Sequence, residues 1–182
     1  MKKIMFNDKY GLTQAVLVGQ KTMTRRVLKG YTQKHLPYKV GEVIAIAQPY
    51  KDIIQCLPMY SDAILGVDGI PRKEFKAGWT NKMFVKASLM PHHIKNTDVK
   101  IERLQDISDE DIMREGIRKE SYAGGCMYFY NNTYIRKRKA NVEPIYNTTP
   151  MRAFASLIYK VCGGKVWRDN PLVVAYSFEL VD

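Results

Sequence analysis

The chain has 182 residues, 46% hydrophobic and 26% charged, with 29 Lys and Arg against 18 Asp and Glu for a formal charge of +11. That length allows one sizeable core and leaves little for a second, so a single domain over residues 1–182 with one insertion is expected. No run of roughly 18 apolar residues exists to span a bilayer, and Met1-Lys2-Lys3 leads into Asn7, Asp8 and Lys9 instead of an apolar signal core, so a cytoplasmic protein with no membrane partner is expected.

The basic excess predicts attraction to polyanions, although charge of this size also serves solubility alone. Cys56, Cys126 and Cys162 lie far apart and show neither CxxC nor Cys/His spacing. No disulfide framework, metal or other cofactor is expected from them.

In chain order, Leu12, Ala15, Val16 and Gly19 fall at i, i+3, i+4 and i+7, which predicts a short helix capped by Asn7 or Asp8 and ended by Gly19. The polar and basic run Gln20 to Arg26 then reads as an extended loop. Tyr38 to Glu42 reads as a turn feeding a buried strand over Val43 to Ala47, closed by Pro49. From Lys51 to Gly78, short apolar patches broken by glycines and Pro71 predict short strands or loops and no long helix. Met83 to Ala87 and Ile94 to Leu104 read as two strands, the second near period two.

Ser108 followed by Asp109, Glu110 and Asp111 predicts a capped helix that breaks at Gly116, with Glu115 at its end. Arg118 to Asn147 loses periodicity, gathers tyrosines and carries Arg136-Lys137-Arg138-Lys139, as an insertion or flap would. Thr149 as N-cap, Pro150 at the first helical position and the face Phe154, Leu157, Ile158 and Val161 define a longer helix stopped by Gly163-Gly164. A last strand runs from Leu172 to Leu180. Helices and strands mix without βαβ regularity, which makes the fold class α+β.

Five stretches in one order carry a family resemblance: Gly19-Gln20-Lys21-Thr22-Met23-Thr24-Arg25-Arg26, Tyr38-Lys39-Val40-Gly41-Glu42, Glu102 to Ser108, Arg114-Glu115-Gly116-Ile117, and Asn170-Pro171 before the final strand. The first is similar to the G-x-K-T-x-T-R-R signature of ASCH-domain proteins, and the set resembles the longer prophage-type members. The resemblance implies a PUA-like small mixed β-barrel with short flanking helices and a cleft beside the basic segment. It also implies RNA or a nucleoside or nucleotide as partner, because the family includes RNA-binding proteins, amidohydrolases acting on N4-acylated cytidines, and ribonucleases. Fold alone does not choose among these.

In the amidohydrolase branch a lysine and a threonine three residues apart work with a glutamate on the following helix. By motif these fall on Lys21, Thr24 and Glu115. Thr24 would supply the nucleophile, directly or by orienting a water. Lys21 would act either as a base, its neutral form favoured by Arg25 and Arg26, or as a charged oxyanion stabiliser with Glu115 moving the proton. Thr22, Arg25, Arg26, Gln48, Tyr50 and Trp79 are the expected binding residues. Relatives usually carry an arginine, an acid and a tryptophan where this chain has Ala47, Gln48 and Tyr50, which removes charge from one wall of the expected cleft. Adjacent His92 and His93 would point to opposite faces of a strand and receive no role. The tyrosine-rich basic segment pairs stacking rings with cations, as single-stranded nucleic acid binding does, and equally suits a solvated loop.

Overall fold

The computed structural model describes residues 1–28, 30, 36–56, 58–122, 124–130 and 146–181. Its strands are β1 (Lys3–Ile4), β2 (Met23–Val27), β3 (Val43–Ile46), β4 (His93–Arg103), β5 (Arg118–Tyr122), β6 (Gly125–Phe129) and β7 (Leu172–Leu180). Its α-helices are α1 (Leu12–Leu17), α2 (Tyr50–Cys56), α3 (Ser61–Ile64), α4 (Asp109–Arg114), α5 (Pro150–Cys162) and α6 (Gly164–Asp169). The architecture is mixed α+β around a five-stranded sheet ordered β1-β3-β4-β7-β2, with β5 and β6 as a separate hairpin. That order is open, and the described residues form no closed barrel.

The chain divides into two compact units. The first comprises Met1–Phe6, Val43–Ile94 and Val181–Asp182. In it β1 and β3 pair in parallel, Lys3 opposite Ala45 and Ile4 opposite Ile46. Ala45, Ala47, Tyr50, Ile53, Ile64, Phe75, Val85 and Met90 form its buried cluster. The stretch from Lys51 to Gly78 holds short α and 3-10 helices and one isolated bridge, Leu65 to Pro71, instead of short strands. Met83 to Ala87 is likewise not a strand, since 3-10 turns occupy Lys82–Phe84 and Ala87–Leu89. There the Asn81 side chain accepts a hydrogen bond from the Met83 N–H, which winds the backbone locally and leaves no sheet ladder to join.

The second unit comprises Asn7–Glu42 and Lys95–Leu180. Helix α1 follows Gly11, whose φ of 69° lets the chain turn from the preceding 3-10 turn at Asp8–Tyr10, and Asn7 caps that turn. Residues Met23 to Arg26, expected in a loop, lie in β2, paired antiparallel with β7 from Met23 opposite Ser177 to Val27 opposite Val173. Pairing with this buried strand overrides the loop preference of a polar sequence, because the ladder satisfies the backbone and Met23 fills the core. Strand β7 matches its expected span, with Val173 to Phe178 all buried.

Thr149 caps α5 by accepting from the Arg152 N–H, and Ala153, Phe154 and Leu157 form its buried face. Gly163 ends this helix as expected, but Gly164 starts α6, from which Trp167 meets Phe154 edge-on at 6.2 Å between ring centroids. Part of the expected insertion is the β5–β6 hairpin. The basic run Arg136 to Lys139 lies outside the described residues. Among the described residues no helix is long and apolar enough to cross a membrane.

Candidate functional site

Helix α4 places the acidic end of the site. Ser108 accepts from the Asp111 N–H at its N-terminus, and Asp109, Glu110 and Asp111 complement the helix dipole there. The helix ends with Glu115 as C-cap and Gly116 at φ 96°. The carbonyls of a last turn lack helical partners, so a donor is needed beside Glu115.

Lys21 supplies it. Gly19, at φ 73°, reverses the chain after α1, and the N–H groups of Gln20 and Lys21 both donate to the Ala15 carbonyl. Thr22 then bridges two elements, its N–H donating to the Arg114 carbonyl at 2.9 Å and its carbonyl accepting from the Phe178 N–H at 2.9 Å. This pins the segment against the end of α4. Lys21 Nζ donates to the Glu115 carbonyl oxygen at 2.8 Å and to Glu115 Oε2 at 2.5 Å. Lys21 is 2% exposed and Glu115 5%.

Arg25 occupies the other carboxylate oxygen. Its Nη1 donates to Glu115 Oε1 at 3.1 Å, its Nε and Nη2 to Glu102 Oε1 at 2.9 and 2.6 Å, and its Nη2 to Asp111 Oδ2 at 3.1 Å. Its side chain is 1% exposed. Lys100 closes the array from outside, 2.6 Å from Asp111 Oδ2 and 3.2 Å from Glu102 Oε2, and Arg114 reaches Asp111 Oδ1 at 3.3 Å. Lys21, Arg25, Lys100 and Arg114 thus interleave with Glu102, Asp111 and Glu115, so the signature's first two cations are neutralised by partners inside the protein.

The charges tune one another. Burial pulls the Lys21 ammonium below the ordinary lysine range; the charge and hydrogen bond of Glu115 oppose that, and the charges of Arg26 and Arg25 add to it. For Asp111, burial favours the neutral acid but is outweighed by Lys100 and Arg25, which hold the carboxyl below its usual range. Lys100 is raised, chiefly by its hydrogen bond to Asp111.

Thr24 sits in β2 opposite Tyr176, buried at 5% exposure. Its hydroxyl makes no hydrogen bond among the described residues, to Lys21, Glu115 or any other group. Strand alternation sets Thr24 and Arg26 on the face opposite Met23 and Arg25. Arg26 is exposed, and Thr22 Oγ1 accepts from Arg114 Nε at 3.4 Å.

Gln48, Tyr50 and Trp79 belong to the first unit. The Gln48 N–H donates to the Met90 sulfur at 3.3 Å, and its buried Oε1 has no partner among the described residues. Tyr50 is a core residue, its hydroxyl accepting from the Lys86 N–H at 2.8 Å and its ring edge-on to Phe75 at 5.2 Å. Trp79 packs against the same cluster.

Glu102, Asp111 and Lys100 were not among the site residues expected from the sequence. Asp111 carries the pattern of a helix-dipole acid, which hides its second role. The alternation Lys100-x-Glu102 along β4 was the available signal, since it sets opposite charges on one face of a strand. Among the described residues no group of His, Cys, Asp and Glu is arranged to hold a metal, and Cys126 and Cys162 take part in no disulfide.

In three dimensions the chain is similar to a protein from Enterococcus faecalis described under the family-model name DUF984, at 17% identity and a TM-score of 0.43 over all of this chain and 81% of that one. It is also similar to an ASCH domain from Lactobacillus crispatus, at 16% identity and a TM-score of 0.41 over 96% of this chain and 75% of that one. Likenesses of this size assign no activity and no residue role. No family model matches the sequence, and no curated protein matches it.

Proposed function

We propose that this chain is an ASCH-type, PUA-like protein that hydrolyses an amide on a nucleobase, an N4-acylated cytidine or a close analogue, with Lys21, Thr24 and Glu115 as its working residues. The motif order supports the family assignment. The observation that carries the reaction is the buried Lys21, bonded at once to the carboxylate and the carbonyl of Glu115 and titrating below the ordinary lysine range.

A lysine in that state exchanges a proton near neutrality more readily than a solvated one, and Glu115 is bonded to it directly. In the reaction, a water oxygen or the Thr24 hydroxyl forms a bond to the acyl carbon. The Lys21–Glu115 pair takes the proton from that nucleophile. The carbon–nitrogen bond then breaks, and the same proton passes to the departing exocyclic amine. If Thr24 attacks, water cleaves the resulting ester to release the acid. Among the described residues the Thr24 hydroxyl makes no hydrogen bond that would have to break before it plays either part.

Ultraviolet-monitored hydrolysis of N4-acetylcytidine, with Lys21→Ala and Glu115→Gln alongside, tests this. Turnover by the wild type and its loss in both variants is the expected result; a folded wild type without turnover rejects the reading.

The net charge of +11 favours a second reading, the binding of RNA. The contacting cations would then be others than Lys21 and Arg25, because both are buried against carboxylates.

A further inference from the structure

We propose that Arg25 is a positioning residue, whose guanidinium, anchored by Glu102 and Asp111, fixes Glu115 Oε1 and thereby keeps Oε2 on the Lys21 ammonium. This rests on the reading of Lys21 and Glu115 as the working pair. It assigns Arg25 a task different from the substrate contact that its place in a basic signature suggests.

The geometry divides the labour. Glu115 stands at the end of a six-residue helix, where no backbone group among the described residues bonds its carboxylate. Two cations do, one on each oxygen. Arg25 is itself held on its far side by two bonds to Glu102 Oε1 and one to Asp111 Oδ2, so its remaining Nη1 points where those anchors aim it. Glu102 belongs to β4, Asp111 to α4 and Arg25 to β2, and the fork therefore ties three elements at the point where Lys21 meets Glu115. A planar guanidinium reaches three carboxylates at once; an ammonium at the same place carries the charge without the fork. With its side chain 1% exposed, Arg25 offers nothing to a phosphate in solvent.

The test follows the 13Cε resonance of Lys21 with pH in lysine-labelled protein, the resonance being identified by its loss in Lys21→Met. The steady-state constants for N4-acetylcytidine are measured in parallel. Arg25→Lys keeps the positive charge and loses the fork. Glu115 then no longer holds Oε2 on Lys21, so the midpoint, which Glu115 raises, is expected to fall further below the ordinary lysine value, and kcat to fall about tenfold or more with KM nearly unchanged.

A folded Arg25→Lys with the Lys21 midpoint or the kcat of the wild type overturns the proposal. Where Arg25→Lys does not fold, Glu102→Gln serves. It leaves the Arg25 charge less neutralised and moves the Lys21 midpoint downward, and an unmoved midpoint there is equally fatal. A wild type without turnover but with these midpoint shifts rejects the amide-hydrolase reading and leaves Arg25 in its place; turnover without the shifts does the reverse.

Discussion

Gly116 shows what the backbone beside the pair requires. Its φ of 96° disfavours any side chain, and a Cβ there would stand 3.4 Å from Lys21 Cβ and 3.7 Å from Ala15 Cβ. Gly116→Ala is therefore expected to lower stability by about 1–3 kcal/mol in urea unfolding through backbone strain alone, since the contact with Lys21 is of ordinary van der Waals length. Removing charge is graded differently. Glu115→Ala strands the buried Lys21 ammonium, while Arg25 keeps Glu102 and Asp111, and is expected to cost about 3–5 kcal/mol. Lys21→Met is expected to cost less in the same measurement, because Glu115 keeps Arg25. The pH dependence has two limbs. Lys21 is lowered on folding, so the unfolded chain binds more protons, and stability rises with pH from the lowered folded value up to the ordinary 10.5. Asp111, also lowered, contributes stability that is present above the ordinary 3.8 and lost as pH falls through its folded value. Urea midpoints taken across both windows check the two signs.

Elements were legible in the sequence where a local cap or a buried period defined them. Helix α4 follows from Ser108 and Gly116, α5 from Thr149-Pro150 and Gly163, and β7 from an apolar run with no polar competitor. They were illegible where a tertiary partner decided. The polar segment Met23 to Arg26 becomes a strand only because β7 lies beside it, and the Met83 and Val85 carbonyls accept from the distant Lys3 ammonium. The site divides in the same way. The resemblance pointed to Lys21, Thr24 and Glu115, of which a hydrogen bond joins the first and last, whereas the Arg25 fork depends on Glu102 and Asp111, which only folding brings to it. The two helix caps make this division measurable. Ser108→Ala and Thr149→Ala each remove one side-chain cap and are expected to cost about 1 kcal/mol apiece in thermal or urea unfolding. Only Ser108→Ala is expected to depress N4-acetylcytidine turnover as well, because α4 carries Asp111 and ends on Glu115. Equal turnover in the two variants would detach α4 from the chemistry.

For the whole molecule, the formal charge of +11 and the charge of the site are separate matters. At the site four cations interleave with three carboxylates, so any basic excess able to attract a polyanion resides in other side chains. Lys100, at 41% side-chain exposure, is the site cation most open to solvent, and Asp111 and Glu102 already hold it. A protein that releases counterions from RNA does so with cations that meet phosphates, each adding about 0.7 to the slope of log affinity against log salt for a single strand. Short single-stranded RNA is accordingly expected to bind more weakly as salt rises, with a slope that Lys21→Ala leaves unchanged in a fluorescence-anisotropy titration. Because the same substitution is expected to abolish amide hydrolysis, the two measurements on one variant separate the readings. A shallower slope in Lys21→Ala would mean that Lys21 leaves Glu115 to meet the nucleic acid, and the pair would then be a resting state of a binding site instead of a catalytic centre.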